Sequence, residues 1–142
     1  MVESDTFVMF KDFAHSPSKL KATTKAVKEQ YPDRNVIACM ELHTFSSLNK
    51  KFLPLYENAM EKADKALVYF NPEVVKHKKL EELSVEFVQE SFGSTVFISQ
   101  KTDEVLKFID DNLSAKSVLL MMSSGNFDGI NYEKLGEEII SK

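Results

Sequence analysis

Arginine and cysteine each occur once in this sequence of 142 residues, as Arg34 and Cys39. A single cysteine excludes a disulfide within the chain. Cys39 lies in the apolar run Val36-Ile37-Ala38-Cys39-Met40, where a buried, inert thiol is expected rather than a nucleophile. A reducing, cytoplasmic setting fits that usage. No apolar run approaches the roughly 20 residues of a membrane-spanning helix, and the acidic start Met1-Val2-Glu3-Ser4-Asp5 lacks the basic and apolar segments of a secretory signal. Basic excess is also missing. The net charge is −4 with a pI of about 5.4, which argues against a nucleic-acid partner. The one basic run, Lys76-His77-Lys78-Lys79, is followed at once by Glu81-Glu82 and reads as a solvated surface. Neither a P-loop nor the Gly-x-Gly-x-x-Gly fingerprint occurs, and there is no repeat or low-complexity tract.

What is present is alternation. Hydrophobic residues make up 43% of the chain, enough for one domain with a real core. Five short apolar runs read as strands: Thr6–Phe10, Val36–Leu42, Ala66–Phe70, Thr95–Ser99 and Ser117–Met122. They are continuous rather than alternating, the pattern of strands covered on both faces. Helical spacing fills the gaps. Leu20, Thr24, Val27 and Tyr31 follow a Ser16 N-cap and Pro17. Phe52, Leu55, Tyr56, Ala59, Met60 and Ala63 form a stripe interrupted by Pro54. Leu80, Leu83, Phe87 and Val88 suggest a third helix. Val105, Leu106, Ile109 and Leu113 follow the acidic start at Thr102-Asp103. Tyr132, Leu135, Ile139 and Ile140 make the last. Asn71–Lys79 reads as an extended loop. Strand and helix in turn predict an α/β, three-layer, Rossmann-like domain, with a mostly parallel sheet and helices on both faces.

In such sheets ligands bind beyond the carboxyl ends of the strands. That edge would carry Asp12 and His15 after the first strand, Glu41 and His43 after the second, Asn71 and Pro72 after the third, and Ser123–Gly129 after the last. Asp12 could accept hydrogen bonds from a ribose and His15 could meet a phosphate or acyl group, or the pair could cap a turn and pack on the next helix. Glu41 and His43 are two apart and share a side of an extended chain, so they could pair, ligate a metal or touch a substrate. No third ligand with helpful spacing supports a metal. The loop at Ser123–Gly129 could cradle an anion or simply make a tight turn. His77 is expected to be exposed.

Asp12-Phe13-Ala14-His15-Ser16-Pro17 resembles the Asp-aromatic-Ala/Gly-His-x-Pro motif that opens the C-terminal domain of Mur ligases. The likeness continues through Leu20-Lys21-Ala22-Thr23, Tyr31-Pro32-Asp33-Arg34 and Ala63-Asp64-Lys65-Ala66, and ends at Met121–Ile130. Asn71–Gln100 matches poorly. Within the family, the Ser-x-Gly-x-Phe-x-Gly-Ile ending is more similar to the tripeptide-adding murein peptide ligases than to the alanine-adding branch. The resemblance implies that residues 1–142 form one such domain, without the UDP-sugar and ATPase domains of the family, and inactive by itself. In the family, ATP activates UDP-N-acetylmuramate as an acyl phosphate, which the amine of an amino acid or peptide then attacks. ATP and Mg²⁺ are held mainly by the central domain, and closure of the C-terminal domain completes the site. By this resemblance Asp12 contacts the nucleotide, His15 sits at the junction with the substrate, and Ser123, Gly125 and Asn126 line the acceptor pocket, beside Glu41 and His43. Two departures stand out. Ser16 replaces a second histidine, and His43-Thr44 stands where many members have an arginine. Lys50, Lys51 and His43 are the nearby cations, but none offers the bidentate fork of arginine. The competing readings are a free-standing α/β binding module and a receiver-like domain. The latter needs clustered acids where only Asp12 stands.

Overall fold

A computed structural model describes residues 2–3, 7–12, 16–43, 48–123 and 127–141. Its six-stranded sheet has β1 (Val2–Glu3), β2 (Phe7–Asp12), β3 (Asn35–Leu42), β4 (Lys65–Phe70), β5 (Val96–Ser99) and β6 (Ser117–Met122) in the order β1-β2-β6-β3-β4-β5. The five strands β2 to β6 are mutually parallel; only β1 runs antiparallel, against β2. The helices are α1 (Pro17–Gln30), α2 (Pro72–His77), α3 (Val85–Phe92), α4 (Thr102–Asn112) and α5 (Tyr132–Ile140). The expected α/β, Rossmann-like architecture is what the chain adopts.

The continuous apolar strands serve two cores at once, because successive side chains point to opposite faces. Val36, Ala38, Met40, Val118, Leu120 and Met122 face the layer made by α1, the segment 48–60, α2 and α3. Ile37, Cys39, Leu67, Tyr69, Leu119 and Met121 face α4 and α5. Cys39 is fully buried, and burial pushes its thiol far above the ordinary range, as expected of an inert core residue.

Four local expectations are corrected. The stripe from Phe52 to Ala63 is not one helix but a single 3-10 turn, Leu53–Tyr56, followed by further turns. Pro54 supplies no N–H, and Asn58, at φ 60°, turns its own N–H to the carbonyl of Phe92. The apolar spacing there is real, since Leu53, Tyr56, Ala59 and Met60 are buried, but Leu55 is exposed. Asn71–Lys79 is not an extended loop: the Asn71 side chain accepts from the N–H of Glu73, Pro72 begins the turn, and α2 follows. The third helix starts only at Val85, capped by Ser84, so Leu80 and Leu83 precede it. Leu106 and Ile140, expected to point inward, lie largely at the surface.

At the edge opposite the strand ends, Asp64 joins three elements. It accepts from the Lys28 ammonium of α1 at 2.7 Å and from the N–H of Val36 at 2.8 Å, while its own N–H reaches the carbonyl of Val36. Burial alone would raise this carboxyl, but the Lys28 hydrogen bond, the Val36 N–H and the charges of Lys28 and Lys65 together hold it below its ordinary range.

Candidate functional site

Strands β3 and β6 are neighbours whose outgoing chains part. After β3 the chain crosses the face of α1 and the 48–60 segment; after β6 it passes to α5 on the other face. This divergence is the topological switch point of the sheet, where α/β folds leave a crevice. The register aligns Asp12 with Met122 and Met122 with Met40, and Glu41 with Tyr69 and Tyr69 with Ser99. Polar groups from all five parallel strands thus meet one edge within a residue or so of each other.

At the crevice lies Glu41, only 3% exposed. One carboxylate oxygen accepts from the Ser123 hydroxyl at 2.5 Å and from the N–H of Phe127 at 3.0 Å. The other lies 3.7 Å from Nδ1 of His43. A buried carboxylate tolerates desolvation when hydrogen bonds of this kind, strengthened by the charge, satisfy it. Glu41 therefore ties the end of β3 to the turn after β6 and leaves its second oxygen toward the histidine.

The turn itself is strained. Phe127 and Asp128 adopt φ of 56° and 57°, and Gly129 follows at 127°. A bulky residue in the left-handed region costs on the order of 1–2 kcal/mol and persists only where its surroundings over-determine it. They do so here: the Phe127 ring is fully buried, its N–H meets Glu41, and its carbonyl accepts from Oγ1 of Thr102 at 2.8 Å. Asp128 is anchored next to it, one oxygen accepting from the Tyr69 hydroxyl at 2.5 Å and from the Asn71 amide at 2.9 Å. Burial, then the bond to Asp128, pushes the Tyr69 phenol well above its ordinary range. Burial, then the charge of Glu41, does the same to Tyr132.

Of the residues singled out from sequence, Glu41, His43 and Ser123 come together here, with Nδ1 of His43 3.7 Å from the Glu41 carboxylate. Asp12 ends β2 on the same edge, where its carbonyl accepts the N–H of Ser123 at 3.0 Å. His15, Gly125 and Asn126, like Thr44, lie outside the described residues. Arg34, over the Tyr31 ring at the start of β3, is at the opposite edge of the sheet. Sequence reasoning missed Tyr69, Thr102 and the role of Asp128. Tyr69 is hidden in an apolar run, although its spacing to Asn71 repeats that of Glu41 to His43. Among the described residues no group of three or more His, Cys, Asp or Glu side chains could hold a metal ion. None of the described helices is long and apolar enough to cross a membrane.

The fold is one that solved ligase domains share. A domain assigned to a UDP-N-acetylmuramate:L-alanyl-γ-D-glutamyl-meso-diaminopimelate ligase from Haemophilus ducreyi matches at a TM-score of 0.63 and 20% identity, over 98% of both chains. A murein peptide ligase from Psychrobacter arcticus matches at 0.63 and 20%, over 99% of this chain and 28% of that one. A UDP-N-acetylmuramate–alanine ligase from Thermotoga maritima matches at 0.64 and 15%, over 99% and 28%. The chain has a fold like that of Mur ligase C-terminal domains and spans about 28% of the length of the two longer ligases. No protein-family model matches it.

Proposed function

We propose that this chain is the C-terminal domain of an ATP-dependent amide ligase that joins the tripeptide L-alanyl-γ-D-glutamyl-meso-diaminopimelate to UDP-N-acetylmuramate. The observation that carries the reading is the coincidence of two independent signals. Asp12 and Ser123, described members of the Mur-type motifs after the first and last strands, fall on the carboxyl edge of the sheet, and the likeness of fold extends over nearly the whole chain. The preference for the tripeptide rests on the ending Ser123–Ile130; the fold likeness is equally good to the alanine-adding enzyme.

In this reading the muramate carboxylate is phosphorylated by ATP. The acceptor amine attacks the acyl carbon, and the tetrahedral intermediate collapses with loss of phosphate. Closure of this domain brings its carboxyl edge over the reacting groups and excludes water. Asp12 and His15 serve the nucleotide and its junction with the acceptor. Ser123, Gly125 and Asn126 flank the acceptor, with Glu41 keeping Ser123 and His43 in place. The ATP and Mg²⁺ sites belong to the domains beyond this chain, which by itself is inactive.

The test is ligation by the full-length parent supplied with ATP, UDP-N-acetylmuramate and either tripeptide or L-alanine, read by phosphate release and product mass. Product with the tripeptide is expected. Product with L-alanine alone would move the chain to the other branch, and no product with either would refute the ligase reading. In an active parent, Asp12→Ala and His15→Ala are each expected to lower turnover by about 10²-fold or more without unfolding the domain; near-wild-type turnover in both would overturn their roles.

A further inference from the structure

We infer that Thr102 and Tyr69 are positioning residues for the acyl acceptor, acting through the left-handed turn at Phe127. The assignment to the acceptor rests on the ligase reading; the clasp itself follows from the fold.

Register brings the parts together. Glu41, Tyr69 and Ser99 stand side by side on β3, β4 and β5, so their side chains share one face of the sheet. Glu41 accepts the N–H of Phe127. The Tyr69 hydroxyl meets the Asp128 carboxylate, and its ring lies against the Phe127 ring with centroids 5.9 Å apart. Ser99 acts at one remove. Its buried hydroxyl lies 3.0 Å from both the Lys101 carbonyl and the Glu104 carboxylate, and accepts the N–H of Lys101 at 3.2 Å. These bonds fix the start of α4. Thr102, the first residue of that helix, then reaches the carbonyl of Phe127 at 2.8 Å.

Threonine is a favoured capping residue, yet α4 begins with Lys101 at its N-cap and no side-chain cap. The Thr102 hydroxyl is directed to another element instead. Phe127 is thereby held on both backbone groups, its N–H by Glu41 and its carbonyl by Thr102. This keeps it at φ 56°, a conformation that its own Cβ opposes. The effect reaches Ser123, because its hydroxyl and the Phe127 N–H share one oxygen of Glu41. A turn that relaxes to negative φ withdraws one of those two donors, and Ser123, assigned above to the acceptor, loses its fixed setting. Two strained residues favour that relaxation once the clasp is gone. The competent fraction then falls, and apparent affinity for the acceptor falls with it. Asp12, assigned to the nucleotide, is on β2, with β6 and β3 between it and β4, so the loss stays on the acceptor side.

The experiment pairs kinetics of the full-length parent with amide exchange in the 142-residue chain. Thr102→Val keeps the side chain's shape and removes the donor; Thr102→Ser keeps the donor. The valine variant is expected to raise KM for the acceptor about fivefold, with KM for ATP unchanged and kcat recovered at saturating acceptor. The serine variant should restore KM. Tyr69→Phe should raise the same KM, and the double variant should fall short of the product of the two, because both act on one turn. In the chain alone, Thr102→Val should speed exchange of the Phe127 amide by at least the factor in KM, while the Leu119 amide in the middle of β6 keeps its rate. Equal acceleration at both amides would mean that Thr102 only stabilises the domain, and would overturn the positioning role. An unmoved KM for the acceptor, an equal rise for ATP, or no rescue by serine would overturn it too, and each would leave the ligase reading standing. A parent without ligase activity would remove that reading and the assignment to the acceptor, while the Phe127 exchange would still decide whether the clasp holds the turn.

Discussion

Glu41 concentrates the energetics of the site in one side chain. Its carboxylate has two donors on one oxygen and a histidine near the other, in a place almost without solvent. Glu41→Gln keeps the shape and an acceptor for Phe127 but loses the charge, so a loss of about 1–2 kcal/mol is expected. Glu41→Leu leaves the Phe127 N–H and the Ser123 hydroxyl without that acceptor and releases a strained turn; about 2–4 kcal/mol is expected. Urea midpoints of the two variants check the order, and a leucine variant as stable as the parent would contradict the structural role given to Glu41. The residue was visible in the sequence as a polar interruption of an apolar strand. Its partner at position 127 was not, because a backbone N–H leaves no trace in the residue type.

Asp64 makes the corresponding argument at the level of elements. It fastens the last turn of α1 to the starts of β3 and β4, through Lys28 and the Val36 N–H. Its folded-state carboxyl is held below the ordinary value of 3.8. Its contribution is therefore complete above that value and is lost as pH falls through the lower, folded-state value. Asp64→Asn should cost about 1 kcal/mol near neutrality, a figure reduced for the partial exposure of the pair, and the difference from the parent should shrink in acid. Denaturant titrations across that range decide it; a difference independent of pH would show that the charge is not what matters. Elements buried on both faces, such as β3 and β6, were plain in the sequence, as was α1 with its Ser16-Pro17 start. The segment 52–63 was not, because its apolar spacing suits a helix while Pro54 and Asn58 forbid one. For α2 the Asn71-Pro72 cap was the legible sign, obscured by the charges that follow it.

Across the whole molecule, Cys39 offers a gauge of opening. It sits at 0% exposure in the middle of β3 with its thiol driven upward by burial, so a thiol reagent should reach it only when the sheet opens. Labelling should slow in proportion to global stability and accelerate in Glu41→Leu by the same factor as its unfolding constant. Fast labelling of the folded chain would show a local route to the core. The last consequence concerns time rather than space. The central strand β6 is the last of the six to be made, yet it alone links β2 to β3. During synthesis, β3, β4 and β5 can pair while one edge of β3 waits open, and β2 has no parallel partner until residues 117–122 emerge. The domain closes like a book whose spine is bound last, and the waiting edge of β3 is where a stalled or shortened chain would invite pairing with a neighbour.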